Sequence, residues 1–136
     1  MEKLINEMLE IKKWAVVGAT KNQNKYGNKI YKLLKEKNYD VIGVNPIHKD
    51  IEGDLTKPDL LSIEKEINCI SVVVGPEKAV KVVEEAIKKG IKYMWFQPGT
   101  FTPEIIEKAE NAGINVVFHN CILVEIGKRD TINGIY

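Results

Sequence analysis

A short segment near the start of this chain carries residue types that bind phosphate groups. Gly18 closes the apolar run of residues 14–18, Lys21 follows within the turn, and Lys25 lies a little further along. A glycine after a buried strand lets a phosphate approach the backbone N–H groups at the start of the next helix. A lysine beside that turn adds a charge-assisted hydrogen bond worth about 1.5–3 kcal/mol. This turn is therefore a candidate phosphate site.

By contrast, the residues that could perform covalent or acid–base chemistry are few and scattered. The chain has 2 Cys, 2 His and only Ser62 and Ser71 as serines. Neither histidine has a cysteine or carboxylate at metal-ligand spacing, and neither serine lies in a G-x-S-x-G turn. A G-x-x-x-x-G-K-[ST] phosphate loop is absent from the sequence as well. We therefore expect no catalytic residues and no metal site, and we interpret His119, at a strand end, as a hydrogen-bonded structural residue.

Five apolar runs rich in β-branched residues alternate with segments of helical period. The predicted strands are residues 14–18, 41–44, 69–74, 93–96 and 116–118. The predicted helices are residues 2–11, 26–37, a short one at 59–66, one from Pro76 to just before Gly90, and one from Thr102 to just before Gly113. This order predicts an α/β fold: a single doubly wound Rossmann-like domain over residues 1–136, with a five-stranded parallel sheet and helices on both faces.

Each predicted strand ends at small, kinking or amide residues. These turns are Gly18-Ala19-Thr20-Lys21, Val44-Asn45-Pro46, Val74-Gly75-Pro76, Gln97-Pro98-Gly99 and Asn120-Cys121. Because the carboxyl ends of parallel strands meet at one edge of the sheet, we expect these turns to border a common crevice. Such a crevice suits an extended, nucleotide-like ligand.

Composition and charge exclude several classes of protein. The chain has 136 residues, 44% of them hydrophobic, and a formal net charge of +1. These values are typical of a globular domain and give no overall attraction to nucleic acid or to anionic membranes. No apolar run approaches the length of a membrane span, and the first residues lack a signal-peptide core. Two cysteines are too few for a disulfide framework, so we expect a cytoplasmic protein.

The first turn departs from the fingerprint of dinucleotide-binding domains. The segment from Gly18 to Gly27 lacks the second and third glycines of G-x-G-x-x-G and is longer than that motif. Asn45-Pro46 stands where an acidic residue would bind the ribose 2′-hydroxyl of NAD. Both departures weigh against NAD. A redox enzyme or regulator that binds NAD or another dinucleotide is the alternative interpretation.

Several short motifs, taken in order, resemble those of the stand-alone CoA-binding domain proteins. They are Gly18-Ala19-Thr20, Tyr26-Gly27, Val44-Asn45-Pro46, Gly53, Val74-Gly75-Pro76, Trp95-x-Gln97-x-Gly99 and Asn120-Cys121. These proteins are single Rossmann-like domains similar to the CoA-binding domain of the succinyl-CoA synthetase alpha subunit. The resemblance covers residues 12 to about 127 and implies that the chain binds coenzyme A or an acyl-CoA.

The resemblance also implies a role for each turn. Residues 18–21 would bind the CoA phosphates, and residues 44–46, with His48 and Lys49, would border the adenosine and its 3′-phosphate. Residues 74–76 would line the adenine or pantetheine path, residues 97–99 the pantetheine arm, and Asn120 its amides. The lysine expected after the second-strand turn is replaced by Ile47-His48-Lys49, which departs from the synthetase pattern. Tyr26 opens the first helix beside the phosphate turn, where its ring either packs on the ligand or fixes the helix to the sheet.

The synthetases take their phosphohistidine and acid-anhydride chemistry from a further domain and a partner subunit. A chain of 136 residues leaves no room for that domain, so we expect a non-catalytic CoA-binding module, sensor or carrier. Its partner is expected to be a small molecule, and a homodimer or a protein partner is left open. The leading helix would cover the sheet or form a dimer contact. A structural interaction domain with a vestigial cleft is the third interpretation.

Cys121 lies where the fifth strand ends, near the expected end of the pantetheine arm. If a helix begins near Ile122, its N-terminus stabilises the thiolate. One hypothesis is a reversible mixed disulfide between Cys121 and CoA, and the alternative is a small apolar residue in a packed corner. Cys69, within an apolar strand, is expected to be inert core.

Overall fold

Helices and strands alternate along the chain in the order that the sequence predicts. The computed structural model describes the backbone of residues 1–134 and the side chains of residues 1–130, so the last two residues of the predicted 1–136 domain lie outside the described residues. The elements are α1 (Glu2–Glu10), β1 (Lys13–Val17), α2 (Tyr26–Glu36), β2 (Asp40–Val44), β3 (Asp50–Ile51), β4 (Asp54–Leu55), β5 (Cys69–Val72), α3 (Pro76–Lys89), β6 (Tyr93–Phe96), α4 (Pro103–Asn111), β7 (Asn115–Val117) and α5 (Ile122–Gly134).

The main sheet has five parallel strands in the order β2-β1-β5-β6-β7. Trp14 of β1 lies in register with Val41 of β2 on one side and with Cys69 of β5 on the other. In chain order, β2 pairs with one edge of β1, and β5 then pairs with the opposite edge of β1. The direction in which strands are added to the sheet therefore reverses between β1 and β5. The predicted fold class, a doubly wound Rossmann-like α/β domain, is confirmed.

Each face of the sheet is covered by its own apolar core, because alternate strand residues point to opposite faces. Ala15 and Val17 pack with α3, α4 and the segment of residues 56–68, whereas Trp14 and Val16 pack with α1, α2 and α5. The leading helix α1 therefore covers the sheet, through Ile5, Met8 and Leu9. Among the described residues, no helix is both long enough and apolar enough to cross a membrane.

The helix boundaries follow local chemistry. Pro76 stands in the first turn of α3, where its missing N–H costs nothing, and Gly90 ends that helix with a φ of 74°. Asn38 adopts a φ of 68° just after α2, a left-handed conformation common at the ends of helices. Thr102 caps α4 by accepting a hydrogen bond from the N–H of Ile105.

Two parts of the segment between β2 and β5 differ from the prediction. Residues 59–66 form turns instead of the predicted short helix. The carboxylate of Asp59 accepts hydrogen bonds from the N–H and the hydroxyl of Ser62, at 2.9 and 2.7 Å, and this local bonding competes with helix propagation. Leu60 and Ile63 are nevertheless buried against the sheet.

The second difference is a small antiparallel hairpin formed by β3 and β4, which the sequence did not predict. Its turn residues Glu52 and Gly53 have φ values of 50° and 84°, as the tightest two-residue hairpin turns require. The tight turn expected at Gly53 is therefore present. The hydroxyl of Tyr31 on α2 donates to the carboxylate of Asp54 at 2.8 Å, and this bond docks the hairpin on the helix.

Candidate functional site

A cavity of about 1080 Å³ opens at the carboxyl edge of the sheet. It lies where the direction of strand addition reverses, between Gly18 after β1 and Val73 to Gly75 after β5. Doubly wound sheets bind their ligands at this position. Pockets for drug-sized ligands have volumes of about 300–1,000 Å³, so the cavity suits a large and extended molecule.

Fifteen of the predicted site residues line this cavity. They are Gly18, Thr20, Lys25, Tyr26, Gly27, Val44, Asn45, Pro46, His48, Val74, Gly75, Gln97, Pro98, Gly99 and Cys121. The turns after β1, β2, β5 and β6 thus border one space, together with the start of α5. The prediction of which groups contact a ligand stays a prediction.

Two glycines bring the start of α2 against the turn after β1. Gly18 has a φ of 103°, and a Cβ placed there would lie 2.5 Å from the carbonyl oxygen of Val73. A Cβ on Gly27 would lie 2.0 Å from the carbonyl oxygen of Gly18. The N–H of Gly18 is already used, since it donates to the carbonyl of Val44 at 3.0 Å. Gly18 therefore offers no free backbone N–H to the cavity.

The start of α2 has the electrostatic character of an anion site. Lys25 is its N-cap residue, its first turn contains no acidic residue, and no side chain of residues 1–130 caps it. The first N–H groups of a helix carry a partial positive charge and need an acceptor. A cation at this end of a helix is unfavourable unless an anion binds beside it. Lys25 and the uncapped N–H groups together fit a phosphate.

Asn45 connects the first two turns. Its Nδ2 donates to the carbonyl of Ala19 at 2.8 Å, and its Oδ1 accepts from the N–H groups of Ile47 and His48 at 2.8 and 2.9 Å. The imidazole Nδ1 of His48 faces the N–H of Lys21 at 3.4 Å and the Nδ2 of Asn45 at 3.5 Å. These two neighbours can only donate, and the third, the hydroxyl of Thr20 at 3.4 Å, can donate as well, so we assign Nδ1 as the acceptor with the hydrogen on Nε2.

Gln97 and Cys121 form the opposite end of the cavity. The side chain of Gln97 is only 4% exposed; its Oε1 accepts from the N–H of Ile122 at 2.9 Å, and its Nε2 contacts the Sγ of Cys121 at 3.3 Å. The amide of Gln97 therefore holds the start of α5 and the thiol. Cys121 is half-buried and directly precedes α5. The helix expected to begin near Ile122 is present.

Five predicted site residues do not line the cavity: Ala19, Lys21, Lys49, Pro76 and Asn120. Ala19 is fully buried, and Lys21 forms an ion pair with Asp50 at 2.9 Å. The side-chain amide of Asn120 donates to Glu125 at 3.1 Å.

The two remaining reactive side chains lie apart from the cavity. The ring of His119 packs against the ring of Phe118, with centroids 4.2 Å apart, and it forms no hydrogen bond within residues 1–130, contrary to the prediction. Cys69 is buried, and burial raises the pKa of its thiol far above the usual value. Within the described part of the chain, no three His, Cys, Asp or Glu side chains come together as a metal site.

The profile of the CoA binding domain family matches residues 12–127 of this sequence. The chain belongs to the CoA binding domain family. Membership supports coenzyme A as the ligand, in agreement with the resemblance seen in the sequence.

Relatives of this CoA binding domain include both large enzymes and small proteins. It is 30% identical to an ADP-forming acetate–CoA ligase of Archaeoglobus fulgidus over 79% of the chain, but it spans only 17% of the ligase. It is 26% identical to the uncharacterized protein YneT of Bacillus subtilis, with 88% of the chain and 90% of YneT covered. The structure of a hypothetical protein from Pyrococcus horikoshii has 36% identity and a TM-score of 0.90, covering 94% of this chain and 91% of that one.

Several residues of this CoA binding domain line or support the cavity without having been predicted from the sequence. Those that line it are Val17, Asn24, Ile47, Pro58, Asp59, Val73, Glu77, Lys78, Lys81, Val82, Glu85 and Thr100. Lys78, Lys81, Val82 and Glu85 follow Gly75 at helical spacing, so the period of α3 would have identified this wall. Asn28 supports the first turn from below, because its Nδ2 donates to the carbonyl of Thr20 at 2.9 Å. No sequence pattern marks that contact.

Proposed function

We propose that this protein binds coenzyme A or an acyl-CoA in the cavity at the carboxyl edge of the sheet, as a non-catalytic module. The observation that carries the proposal is the continuity of that cavity. One space of about 1080 Å³ connects the uncapped start of α2 with the thiol of Cys121. CoA has the corresponding chemistry, since it is a long molecule with phosphates near one end and a thiol at the other.

The diphosphate is placed at the start of α2 in this proposal. There it would accept hydrogen bonds from the free N–H groups of the first turn and a charge-assisted bond from Lys25. The close approach of Gly18 and Gly27 leaves the backbone without side chains at this point, so the phosphates can approach the helix. The exposed ring of Tyr26 borders the same place.

The pantetheine arm would then run past residues 97–99 toward Cys121. Pro98 and Gly99 line this part of the cavity, and the side chain of Gln97 is fixed by its bonds to Ile122 and Cys121. We propose that backbone groups of this turn, more than the amide of Gln97, meet the amides of the ligand.

The non-catalytic part of the proposal rests on how the reactive groups are separated. Within residues 1–130, the Sγ of Cys121 contacts the amide of Gln97 and no histidine or carboxylate. His48 lies at the far wall beside Thr20, and His119 lies outside the cavity. Among residues 1–130 the thiol of Cys121 is thus paired with no base, which acyl transfer by that thiol would require. The hydroxyl of Thr20 lies 3.4 Å from Nδ1 of His48, a long contact that proton transfer would have to shorten.

The proposal is tested by the thermal unfolding of the full chain with CoA, 3′-dephospho-CoA and NAD in parallel. A ligand at a hundredfold excess over its dissociation constant adds about 2.7 kcal/mol of stability, and we expect CoA to raise the Tm by roughly 6–15 °C. A shift with NAD alone would favour a dinucleotide-binding regulator instead. No shift with any ligand would favour an interaction domain with a vestigial cleft.

A further inference from the structure

The wall of the cavity formed by α3 carries two lysines that the sequence had not indicated as ligand contacts. Lys78 lies in the first turn of α3 and Lys81 lies three residues later, so both project from the same face of the helix. Both line the cavity. Lys21 and Lys49, the basic residues that the sequence favoured for phosphate contacts along with Lys25, do not line it.

Neither Lys78 nor Lys81 belongs to any ion pair formed among residues 1–130. Two of the three carboxylates on the same wall are held by other donors, and the third, Glu77, forms no ion pair with either lysine. Asp59 accepts two hydrogen bonds from Ser62, which lower the pKa of Asp59, and Lys81 lowers it further through its charge. Glu85 accepts a hydrogen bond from the N–H of Leu60 at 3.1 Å. The ammonium groups of both lysines are therefore available to an anion.

The position of Lys78 is unfavourable for the empty protein. It stands in the first turn of α3, a helix that no side chain of residues 1–130 caps, where the helix dipole repels a cation and the adjacent Glu77 of the same turn offsets part of that repulsion. Lys25 stands at the N-cap of α2, whose first turn contains no acidic residue. Because α2 and α3 lie on opposite faces of the sheet, the cavity has Lys25 on one side and Lys78 with Lys81 on the other.

We infer that Lys78 and Lys81 bind the ribose 3′-phosphate of the ligand, separately from the diphosphate at the start of α2. The inference rests on the proposed function and specifies its ligand class. CoA carries two anionic centres, a diphosphate and a 3′-phosphate on the ribose. NAD and 3′-dephospho-CoA carry only the diphosphate and would leave the α3 lysines unmatched. The two lysines thus select 3′-phosphorylated ligands.

The test is isothermal titration calorimetry of the full chain with CoA and with 3′-dephospho-CoA. Three proteins are compared: the wild type, the double variant Lys78→Ala/Lys81→Ala, and the control Lys88→Ala. Lys88 is exposed on the same helix but does not line the cavity. Charge-assisted hydrogen bonds of this kind change affinity about tenfold or more each.

We expect the wild type to bind CoA at least about tenfold more tightly than 3′-dephospho-CoA. The double variant should lose this preference, with its CoA affinity falling to the level of 3′-dephospho-CoA and its affinity for 3′-dephospho-CoA unchanged. Lys88→Ala should behave as the wild type. Equal Tm values for the three unliganded proteins would exclude misfolding as the cause.

Four other results would overturn the inference. An equal loss of affinity for both ligands in the double variant would assign the lysines to the diphosphate, and no loss for either would mean that they are solvated. Equal binding of both ligands by the wild type would remove the proposed selection while leaving CoA binding intact. Binding of neither ligand by the wild type would overturn the proposed function itself, and the inference with it.

Discussion

The helices that follow strands fall into two pairs that begin in different ways. The starts of α2 and α3 have no side-chain cap from residues 1–130, and lysines stand in both. The starts of α4 and α5 are satisfied by side chains, Thr102 in one and Gln97 in the other. The uncapped pair lines the cavity with Lys25 and Lys78, and so does Gln97 at the start of α5, whereas Thr102 stays outside it. In the proposed binding mode the ligand would complete the starts of α2 and α3, whereas the protein itself satisfies the starts of α4 and α5.

The largest effect is expected from closing the space in front of α2. In Gly27→Ala the new Cβ would lie 2.0 Å from a backbone oxygen, so α2 must move away from β1. We expect a loss of about 3 kcal/mol in the free energy of unfolding, measured by urea denaturation, and loss of CoA binding. Gly127→Ala on exposed α5 is the control: its Cβ meets nothing within 4 Å, and it should stabilise by up to about 1 kcal/mol. Wild-type stability of Gly27→Ala would contradict the close contact between α2 and the first turn.

The next largest effect concerns the cap of α5. Gln97→Ala leaves the buried N–H of Ile122 without an acceptor, and we expect the unliganded protein to lose about 1–3 kcal/mol of stability in urea denaturation. Gln97→Glu is the matched variant, because its carboxylate still accepts from Ile122. If Gln97→Ala unfolds as the wild type does but binds CoA poorly, Gln97 is a ligand contact and the comparison between the two pairs of helices fails for α5.

A new cap on α2 should raise the free energy of unfolding of the unliganded protein, whereas loss of the cap on α4 should lower it. Lys25→Asp places a good N-cap at the extended residue before α2, so the unliganded protein should gain about 1 kcal/mol while CoA binding weakens. Thr102→Ala removes the cap of α4 and should cost about 1 kcal/mol without any change in CoA affinity. Calorimetric titration beside urea denaturation separates the two quantities. A loss of stability in unliganded Lys25→Asp would show that the start of α2 does not favour an anion.

The smallest effect on stability is expected from modification or substitution of the two cysteine thiols. Because Cys121 lines the cavity and Cys69 is buried with a raised pKa, only one thiol of the native protein should react with a disulfide reagent, and CoA should slow that reaction. Diamide would remove two hydrogens from the thiols of CoA and Cys121 and join them in a mixed disulfide, seen as one CoA adduct by mass spectrometry. Cys121→Ser should give no adduct and Cys69→Ser a normal one. An adduct-free wild type would mean that Cys121 serves only in packing.

The fold could be predicted because its signals are local. The five parallel strands are continuous apolar runs, and Pro76, Gly90 and Thr102 mark helix ends through their own backbone chemistry. The segment of residues 59–66 was predicted wrongly because its apolar spacing is helical, while the bonds between Asp59 and Ser62 hold it in turns. The outcome depended on which local hydrogen bond prevails, and the apolar pattern does not contain that information.

The cavity could be predicted where it depends on the ends of strands, and less well where it depends on tertiary contacts. Lys21 seemed as suited to a phosphate as Lys25, but the unpredicted hairpin brings Asp50 within 2.9 Å of Lys21. Lys78 and Lys81 face the cavity because of the direction in which α3 presents its residues. Both results depend on the relative placement of elements far apart in the sequence.

The bonds made by Asn45 have a consequence for the rate of ligand binding. Asn45 joins the turn after β2 to the carbonyl of Ala19, and Asn28 holds the neighbouring carbonyl of Thr20. Both turns are thus fixed before any ligand arrives, so association requires no loop closure. The observed rate constant in stopped-flow mixing should then rise linearly with CoA concentration, without saturation. Its slope, the association rate constant, should fall as ionic strength screens the lysines. We therefore expect these two asparagines to contribute to the speed of capture as well as to affinity.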